Sequence, residues 1–364
     1  MSCKSFQTVF LSRPDLGKTE EAACLEVIRS GVLVQGPECE AFESEFADSV
    51  GAKHAVAVSS GTAALLLTIK ALGLDHGDEV IIPSYTFIAT ANAVSLANAK
   101  VVLADVQPDT MNLDPLSVSQ VLSKKTSLVV PVHQYGLAAD LASLAKKAPG
   151  VRLLEDAACA LGTRTEQGLV GAGPGVATCF SFHPRKLITT GEGGMITTSD
   201  TSLAARIRSL RQHGYGPKGI LEPGYNLRMT EMSAALGRVQ LRRLDEFIQA
   251  RRRVASWYEQ GLGNLDWIGL PSRDHGRVFQ SYVVQVDEQG PVSRDDLVDA
   301  LRKHAIQCQP GIKPVHMHTP YKNAIRGSLP ISELLAKTAL FLPMHASLTQ
   351  AEVERVCSTI GRAA

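Results

Sequence analysis

From His54 to Thr198 the chain repeats one pattern, a short apolar run followed by a longer Ala/Leu-rich stretch, and that rhythm restricts the fold more than any other feature. The runs His54–Val58, Glu79–Pro83, Lys100–Val106, Ser127–His133, Arg152–Asp156, Ala177–Phe182 and Gly194–Thr198 have the length of strands. Between them, Gly61–Leu72, Thr86–Ala97, Pro115–Ser123, Ala139–Lys147 and Thr201–Gln212 are long enough for crossover helices. Strands alternating with helices predict an α/β fold, a mainly parallel sheet with helices on both faces. Ligands dock at the carboxyl ends of the strands in such a sheet, so the residues that follow each run are the ones to inspect.

A chain of 364 residues is long for one domain and short for three. The spacing predicts a large α/β domain over residues 1–245, with the N-terminal segment packed on it, and a smaller α+β domain over 246–364. From Met229 to Gly261 the apolar positions Ala235, Leu236, Val239, Leu244, Phe247 and Val254 follow helical spacing and predict the link between the two. The arginines of that stretch, Arg242, Arg243 and Arg251 to Arg253, read as a solvated face. Beyond it Ser281–Val286 alternates like a half-buried strand. Two later helices open with capping boxes, Ser293-x-x-Asp296 and Thr349-x-x-Glu352.

Thirty-seven basic against 36 acidic side chains leave no summed field to attract a polyanion, which argues against nucleic acid as a partner. Lys4, Arg13, Asp15, Lys18, Glu20 and Glu21 interrupt any leader-like apolar run, and no later segment approaches the roughly 18 apolar residues of a membrane span. The expectation is a cytoplasmic protein without membrane contact. Seven cysteines, from Cys3 to Cys357, are odd in number and never spaced C-x-x-C, which suits a reducing compartment rather than disulfides or zinc.

Three strand ends carry chemistry. After Val58 the small residues Ser59-Ser60-Gly61-Thr62 open a helix, whose first-turn N–H groups suit a phosphate; a plain turn capped by Ser60 or Thr62 reads the same way. The run Leu153–Leu154 ends in Glu155 and Asp156. Asp156 is placed to hold a protonated pyridine nitrogen, unless the pair are capping or rim charges. After Phe182 come His183-Pro184-Arg185-Lys186 and the turn Gly191-Glu192-Gly193-Gly194, where a lysine reaching a cleft can form an imine and Ser181 can add a hydroxyl to a phosphate cup. The glycines of Gly171-Ala172-Gly173-Pro174-Gly175 lack dinucleotide-binding spacing and read as a surface turn.

In that order these residues resemble the DegT/DnrJ/EryC1/StrS sugar aminotransferases, which are pyridoxal 5′-phosphate (PLP) enzymes of fold type I. The resemblance runs through Gly36-Pro37 with Phe42-Glu43, Ser59 to Ala63, Pro83 to Phe87, Asp105-Val106, Glu155 to Ala158, Phe180 to Lys186, Gly191 to Gly194, Tyr225 to Met229 and Leu342 to Met344. It implies that Lys186 holds PLP as a Schiff base and that Asp156 pairs with the pyridine nitrogen. Phe87 and Ala158 would lie against the two ring faces. Gly61, Thr62 and Ser181 would hold the phosphate, with Asn226 of a second subunit, so a homodimer is implied. His213 would lie on the substrate side, or serve as a helix C-terminal cap before Gly214. The loop Gln309 to Tyr321 resembles the substrate loop of relatives acting at C4 of nucleotide-linked keto-deoxysugars, with Lys313 suited to the diphosphate and His316 to a sugar hydroxyl.

The chain departs from the family pattern in two places. Cys159 stands where relatives usually carry Gln or His near the ring's phenolic oxygen, and as a thiol it is either a weak partner there or a packing residue. Gln309 replaces the loop's usual arginine. His316 and His318 have no third ligand near them in sequence, so no metal is expected. The implied activity is amino transfer from L-glutamate to a nucleotide-linked keto sugar. A keto-cyclitol acceptor, PLP-dependent sugar dehydration (where relatives have histidine in place of Lys186) and a non-catalytic PLP-binding regulator are the alternatives.

Overall fold

The computed structural model describes residues 7–363, so Cys3 and Lys4 lie outside the described residues. Two helices, α1 (Lys18–Ser30) and α2 (Pro37–Val50), precede the alternating region. The strands then come as β1 (His54–Val58), β2 (Glu79–Pro83), β3 (Lys100–Ala104), β4 (Thr126–Val129), β5 (Arg152–Asp156), a small hairpin of β6 (Arg164–Thr165) and β7 (Gly168–Leu169), β8 (Ala177–Ser181) and β9 (Gly194–Thr198). Their crossovers are α3 (Gly61–Ala71), α4 (Ala89–Leu96), α5 (Pro115–Val121), α6 (Leu141–Lys147) and, after β9, α7 (Thr201–Arg211).

Seven of these strands and one later one, β15 (Ile325–Arg326), form an eight-stranded sheet in the order β1-β9-β8-β5-β4-β2-β3-β15. Only β9 runs against its neighbours. Side chains on successive strand positions point to opposite faces, and the core divides accordingly. Val56, Val58, Val80, Ile82 and Leu154 pack under α3, α4 and α7. On the other face, Ile81, Val102, Val129 and Leu153 pack with α5 and α6, while Ala55, Ala57 and Phe180 meet Phe42 and Phe46 of α2. Phe46 meets Phe180 edge to face at 5.0 Å. A strand covered on both sides needs a near-continuous apolar run, as β2 has from Val80 to Pro83; its first residue, Glu79, is also buried and takes the Ser123 hydroxyl.

The expected mainly parallel sheet is therefore present, with strands shorter than their apolar runs. Lys100–Val106 pairs only to Ala104, and Ser127–His133 appears as Thr126–Val129. In the first case Asp105 leaves the ladder and accepts from Ile331 N–H and from Ser332. In the second, Pro131 has no N–H to give a ladder.

A hairpin of β10 (Tyr215–Gly216) and β11 (Gly219–Ile220) leads to α8 (Glu231–Arg242) and α9 (Leu244–Leu262). The helical stretch expected over Met229–Gly261 is thus two helices, broken at Arg243 (φ −95°, ψ 3°). The Arg243 guanidinium is anchored by Asp15, Glu20 and Glu246. Arg251 corrects the expectation of a solvated arginine face: it is 3% exposed and its Nη1 donates to the carbonyls of Phe279, Gln280 and Met344. The glycines at 171–175 are corrected as well. Cβ atoms at Gly173 and Gly175 would stand 2.9 and 2.6 Å from the buried Glu155 carboxylate, so this turn is packed against the sheet rather than lying free on the surface.

The remainder holds a second, antiparallel sheet, β12-β13-β16-β14, made of β12 (Ile268–Gly269), β13 (Tyr282–Val286), β14 (Gln309–Pro310) and β16 (Ala339–Leu342). It has its own core, in which Tyr258 stacks on Tyr282 at 4.6 Å beside Leu297, Leu301 and Val356. The helices α10 (Arg294–Lys303), α11 (Pro330–Thr338) and α12 (Gln350–Ala363) flank it. The second capping box forms in full, with Thr349 and Glu352 accepting from each other's N–H, whereas at the first only half is present: Ser293 Oγ accepts from Asp296 N–H, and Asp296 Oδ2 takes the Ser293 hydroxyl rather than its backbone N–H. Among the described residues no helix is long and apolar enough to cross a membrane.

Candidate active site

The strands β1, β2, β5 and β8 run the same way, so their carboxyl ends meet along one edge. Asp156 is the last residue of β5. Its N–H donates to Pro131 O (2.9 Å) and its carbonyl accepts from His133 N–H (3.0 Å), which fixes the backbone at the sheet edge. The carboxylate is 4% exposed; Oδ1 accepts from Ala158 N–H (3.1 Å) and Oδ2 from Thr90 Oγ1 (2.9 Å). Burial pushes the Asp156 carboxyl above the ordinary range, opposed by those two donors and by the charge of Lys186.

Glu155 sits one position earlier and therefore faces away from this edge. It is 1% exposed and lies 3.0 Å from His133 Nε2. Because Ala139 N–H donates to His133 Nδ1 (2.9 Å), the ring hydrogen is on Nε2 and goes to Glu155. Neither carboxylate is a rim charge. Glu155 closes the sheet beneath the site, and Asp156 faces into it.

Lys186 follows β8 in a tight turn, its N–H donating to His183 O (2.8 Å). Its Nζ donates to Cys159 Sγ at 3.2 Å, so the amine lies beside the Asp156–Ala158 turn. Two contacts from the second sheet's region hold this turn: Gln280 Nε2 donates to Arg185 O (2.9 Å), and Arg185 Nη1 donates to Gln309 Oε1 (3.0 Å). Gln309, singled out for the arginine it replaces, thus accepts from an arginine beside the lysine.

At the end of β1, Ser60 Oγ takes the N–H of Ala63 and caps α3, leaving Gly61 and Thr62 at the open first turn. Ser181, at the end of β8, packs so closely that a Cβ on Gly61 would stand 2.7 Å from its Cβ. Backbone donors and a hydroxyl therefore share one small cradle. Phe87, in the loop between β2 and α4, is 68% exposed, an unusual exposure for a phenyl ring. A buried carboxylate, a primary amine, a phosphate-sized cradle of donors and an open aromatic face form a donor set that fits PLP.

The remaining sequence-derived residues are exposed or engaged with other partners. Asn226 is exposed, next to Leu227, whose carbonyl accepts from Ser59 N–H (2.9 Å). His213 is exposed at φ 63° directly after α7, and its N–H donates to Tyr225 O; this is the geometry of a helix C-terminal stop. Lys313 is exposed. His316 is buried, with Nδ1 2.7 Å from Ser84 Oγ and Nε2 3.4 Å from Glu333 Oε1. Thr90 was missed in the sequence because a threonine inside an Ala-rich helix carries no local signal. The His133–Glu155 contact links residues 22 apart and was equally silent.

This architecture is that of the fold type I aminotransferases. The chain belongs to the DegT/DnrJ/EryC1/StrS aminotransferase family, whose model it matches over residues 14–361. It is 41% identical over 330 residues to GDP-perosamine synthase of Caulobacter vibrioides, covering 88% of each chain. With the spore coat polysaccharide biosynthesis protein SpsC of Bacillus subtilis it shares 38% over 371 residues, 96% of this chain and 95% of the other. The solved structure of S. venezuelae DesV in complex with a ketimine intermediate superimposes with a TM-score of 0.89 at 36% identity, covering 94% of each chain. The protein is accordingly a sugar aminotransferase, of a family whose members depend on PLP.

Proposed function

We propose that this chain transfers the amino group of L-glutamate to a nucleotide-linked keto-deoxysugar, at C4 in preference to C3, using PLP. The observation that carries the reading is the convergence of Asp156, Lys186 and the Gly61–Ser181 cradle on one sheet edge. PLP, when bound, supplies an electron sink for the carbanion formed at the amine-bearing carbon.

The chain's own residues do the rest. Lys186 would hold the cofactor covalently and, once its amine is freed, move a proton to and from the donor's α-carbon as base and acid. Asp156 would hold a proton on the ring nitrogen, a task for which its buried, two-donor setting keeps the carboxylate rigid. Gly61, Thr62 and Ser181 would bind the phosphate, joined by Asn226 from a second subunit, and Phe87 and Ala158 would confine the ring. Lys313 and His316 would meet the nucleotide sugar. The name of the Caulobacter relative supports a nucleotide-linked amino sugar as product. Lys186 itself argues against the dehydratase alternative, whose relatives carry histidine there.

The test is direct. Purified protein given PLP and then borohydride should carry a stable pyridoxyl adduct on Lys186, and with L-glutamate it should aminate members of a panel of nucleotide-linked 3- and 4-keto sugars and keto-cyclitols. Absence of the adduct would overturn the cofactor assignment. Amination of cyclitols alone, or of 3-keto sugars alone, would overturn the substrate assignment.

A further inference from the structure

Among the described residues the Lys186 amine has one hydrogen-bond partner, the sulfur of Cys159 at 3.2 Å. Both residues are half-exposed, so a small solute reaches them. The other described cysteines are in a different state. Cys39, Cys179, Cys308 and Cys357 are buried, and burial pushes their thiols up. Partial burial and the charge of Glu20 push Cys24 up as well. The thiolate is the form that attacks an oxidant, so these thiols react poorly. Of the described cysteines, Cys159 is the one whose sulfur meets an amine. A third group adjoins the pair: Tyr135, at φ 55°, carries a buried hydroxyl whose neighbours include the Tyr85 hydroxyl and the Cys159 sulfur. A phenol O–H beside a sulfur can donate to an oxygen added there. The Gln or His that relatives usually carry in place of Cys159 could not be oxidised in this way, so the pair belongs to this chain rather than to the family pattern.

We propose that Cys159 and Lys186 form a peroxide-sensitive pair, which joins as a sulfenamide when the cofactor is absent. In the first step the thiol sulfur attacks hydrogen peroxide. The O–O bond breaks, an S–OH bond forms, sulfur gives up two electrons, and water leaves with the thiol proton. In the second step the Lys186 amine attacks the same sulfur. An S–N bond forms, the S–O bond breaks, and a second water leaves with one proton of the amine. One peroxide is consumed and two waters are released. The flexible lysine stem lets Nζ close the gap that remains at hydrogen-bonding distance. A dithiol reverses the joining: its first thiolate attacks the sulfur and releases the amine, and its second displaces Cys159 and closes the reductant's own disulfide. The consequence is a switch. The amine consumed is the one assigned to PLP, so the joined chain cannot hold the cofactor covalently, and bound cofactor occupies the amine and blocks the joining. That consequence rests on the PLP reading; the cross-link itself does not.

The experiment treats the purified full chain, cofactor-free and PLP-loaded, with hydrogen peroxide, alkylates the remaining thiols and maps the digest by mass spectrometry. The cofactor-free wild type should yield a peptide pair joined through Cys159 and Lys186, lighter than the sum of its parts by two hydrogens. Dithiothreitol should separate the pair, and the PLP-loaded chain should yield at least tenfold less of it. Peroxide should lower PLP uptake at least tenfold in the wild type, and less than twofold in C159A measured against its own untreated sample. If C159A does not fold, C159S takes its place, since a serine hydroxyl is inert to peroxide. Cys159 recovered as sulfinic or sulfonic acid with Lys186 free would overturn the proposal, as would an equal loss of PLP uptake in wild type and variant. A chain that forms the cross-link yet never takes up PLP upholds the pair and refutes the cofactor reading. A pyridoxyl adduct on Lys186 in a chain that never forms the cross-link refutes only the pair.

Discussion

Thr90 Oγ1 donates to Asp156 Oδ2 at 2.9 Å, tying the first turn of α4 to the end of β5. The carboxylate assigned to the cofactor nitrogen is therefore oriented by a residue 66 positions away, whose hydroxyl also lies 3.2 Å from Thr86 Oγ1 and whose N–H donates to Phe87 O. Replacing Thr90 with Val keeps the shape and removes the donor. A hydrogen bond to a charged group contributes about 1.5–3 kcal/mol, so PLP affinity and kcat should each fall roughly tenfold or more. Thr90→Ser should recover most of both, read by cofactor titration and steady-state rates.

Asp156 also makes a prediction about pH. Its folded-state pKa is raised by burial, so between the ordinary aspartate range and that raised value the native chain binds more protons than the unfolded one. Stability of the cofactor-free protein must then fall as pH rises through this window. Asp156→Asn removes the buried charge while leaving an oxygen for Ala158 N–H. The cofactor-free variant should melt higher than wild type at pH 7, with a smaller difference at pH 4, and should be inactive. Scanning calorimetry at the two pH values checks the sign.

Gly61 is where a methyl group does the most local damage to the cradle. Its Cβ would stand 2.7 Å from Ser181 Cβ, closer than packed carbon atoms allow. Gly61→Ala should lower PLP affinity at least tenfold. Adding Ser181→Gly relieves the clash but deletes the hydroxyl, so the double variant should regain thermal stability without regaining affinity. Recovery of both would mean that Ser181 does not bind phosphate.

Beneath the sheet edge, Glu155→Ala would leave His133 Nε2–H without an acceptor in a fully buried position. The expected cost is about 2–4 kcal/mol, combining a lost charged hydrogen bond with a cavity. Glu155→Gln keeps an oxygen for Nε2–H and should cost roughly half as much. Urea unfolding of the two variants tests the tautomer assigned to His133.

The sequence alone determined the elements and their order, because the signals involved are local. The apolar runs Ala55–Val58 of β1 and Val80–Pro83 of β2 depend on neighbours a few residues away, and the helix caps at Ser293 and Thr349 depend on contacts across one helical turn. It also named Asp156 and Lys186, through the order of motifs at strand ends. What only the tertiary structure decided are pairings across long separations: Thr90 with Asp156, His133 with Glu155, Arg185 with Gln309, and the burial of Arg251 among the carbonyls of Phe279, Gln280 and Met344. An arginine that looks like a solvated face in helical projection has its environment set by the chain packed against it. A glycine at 173 looks like a turn residue until the carboxylate lying over it is seen. Local periodicity determines which face a side chain occupies, but its partner there is supplied by folding.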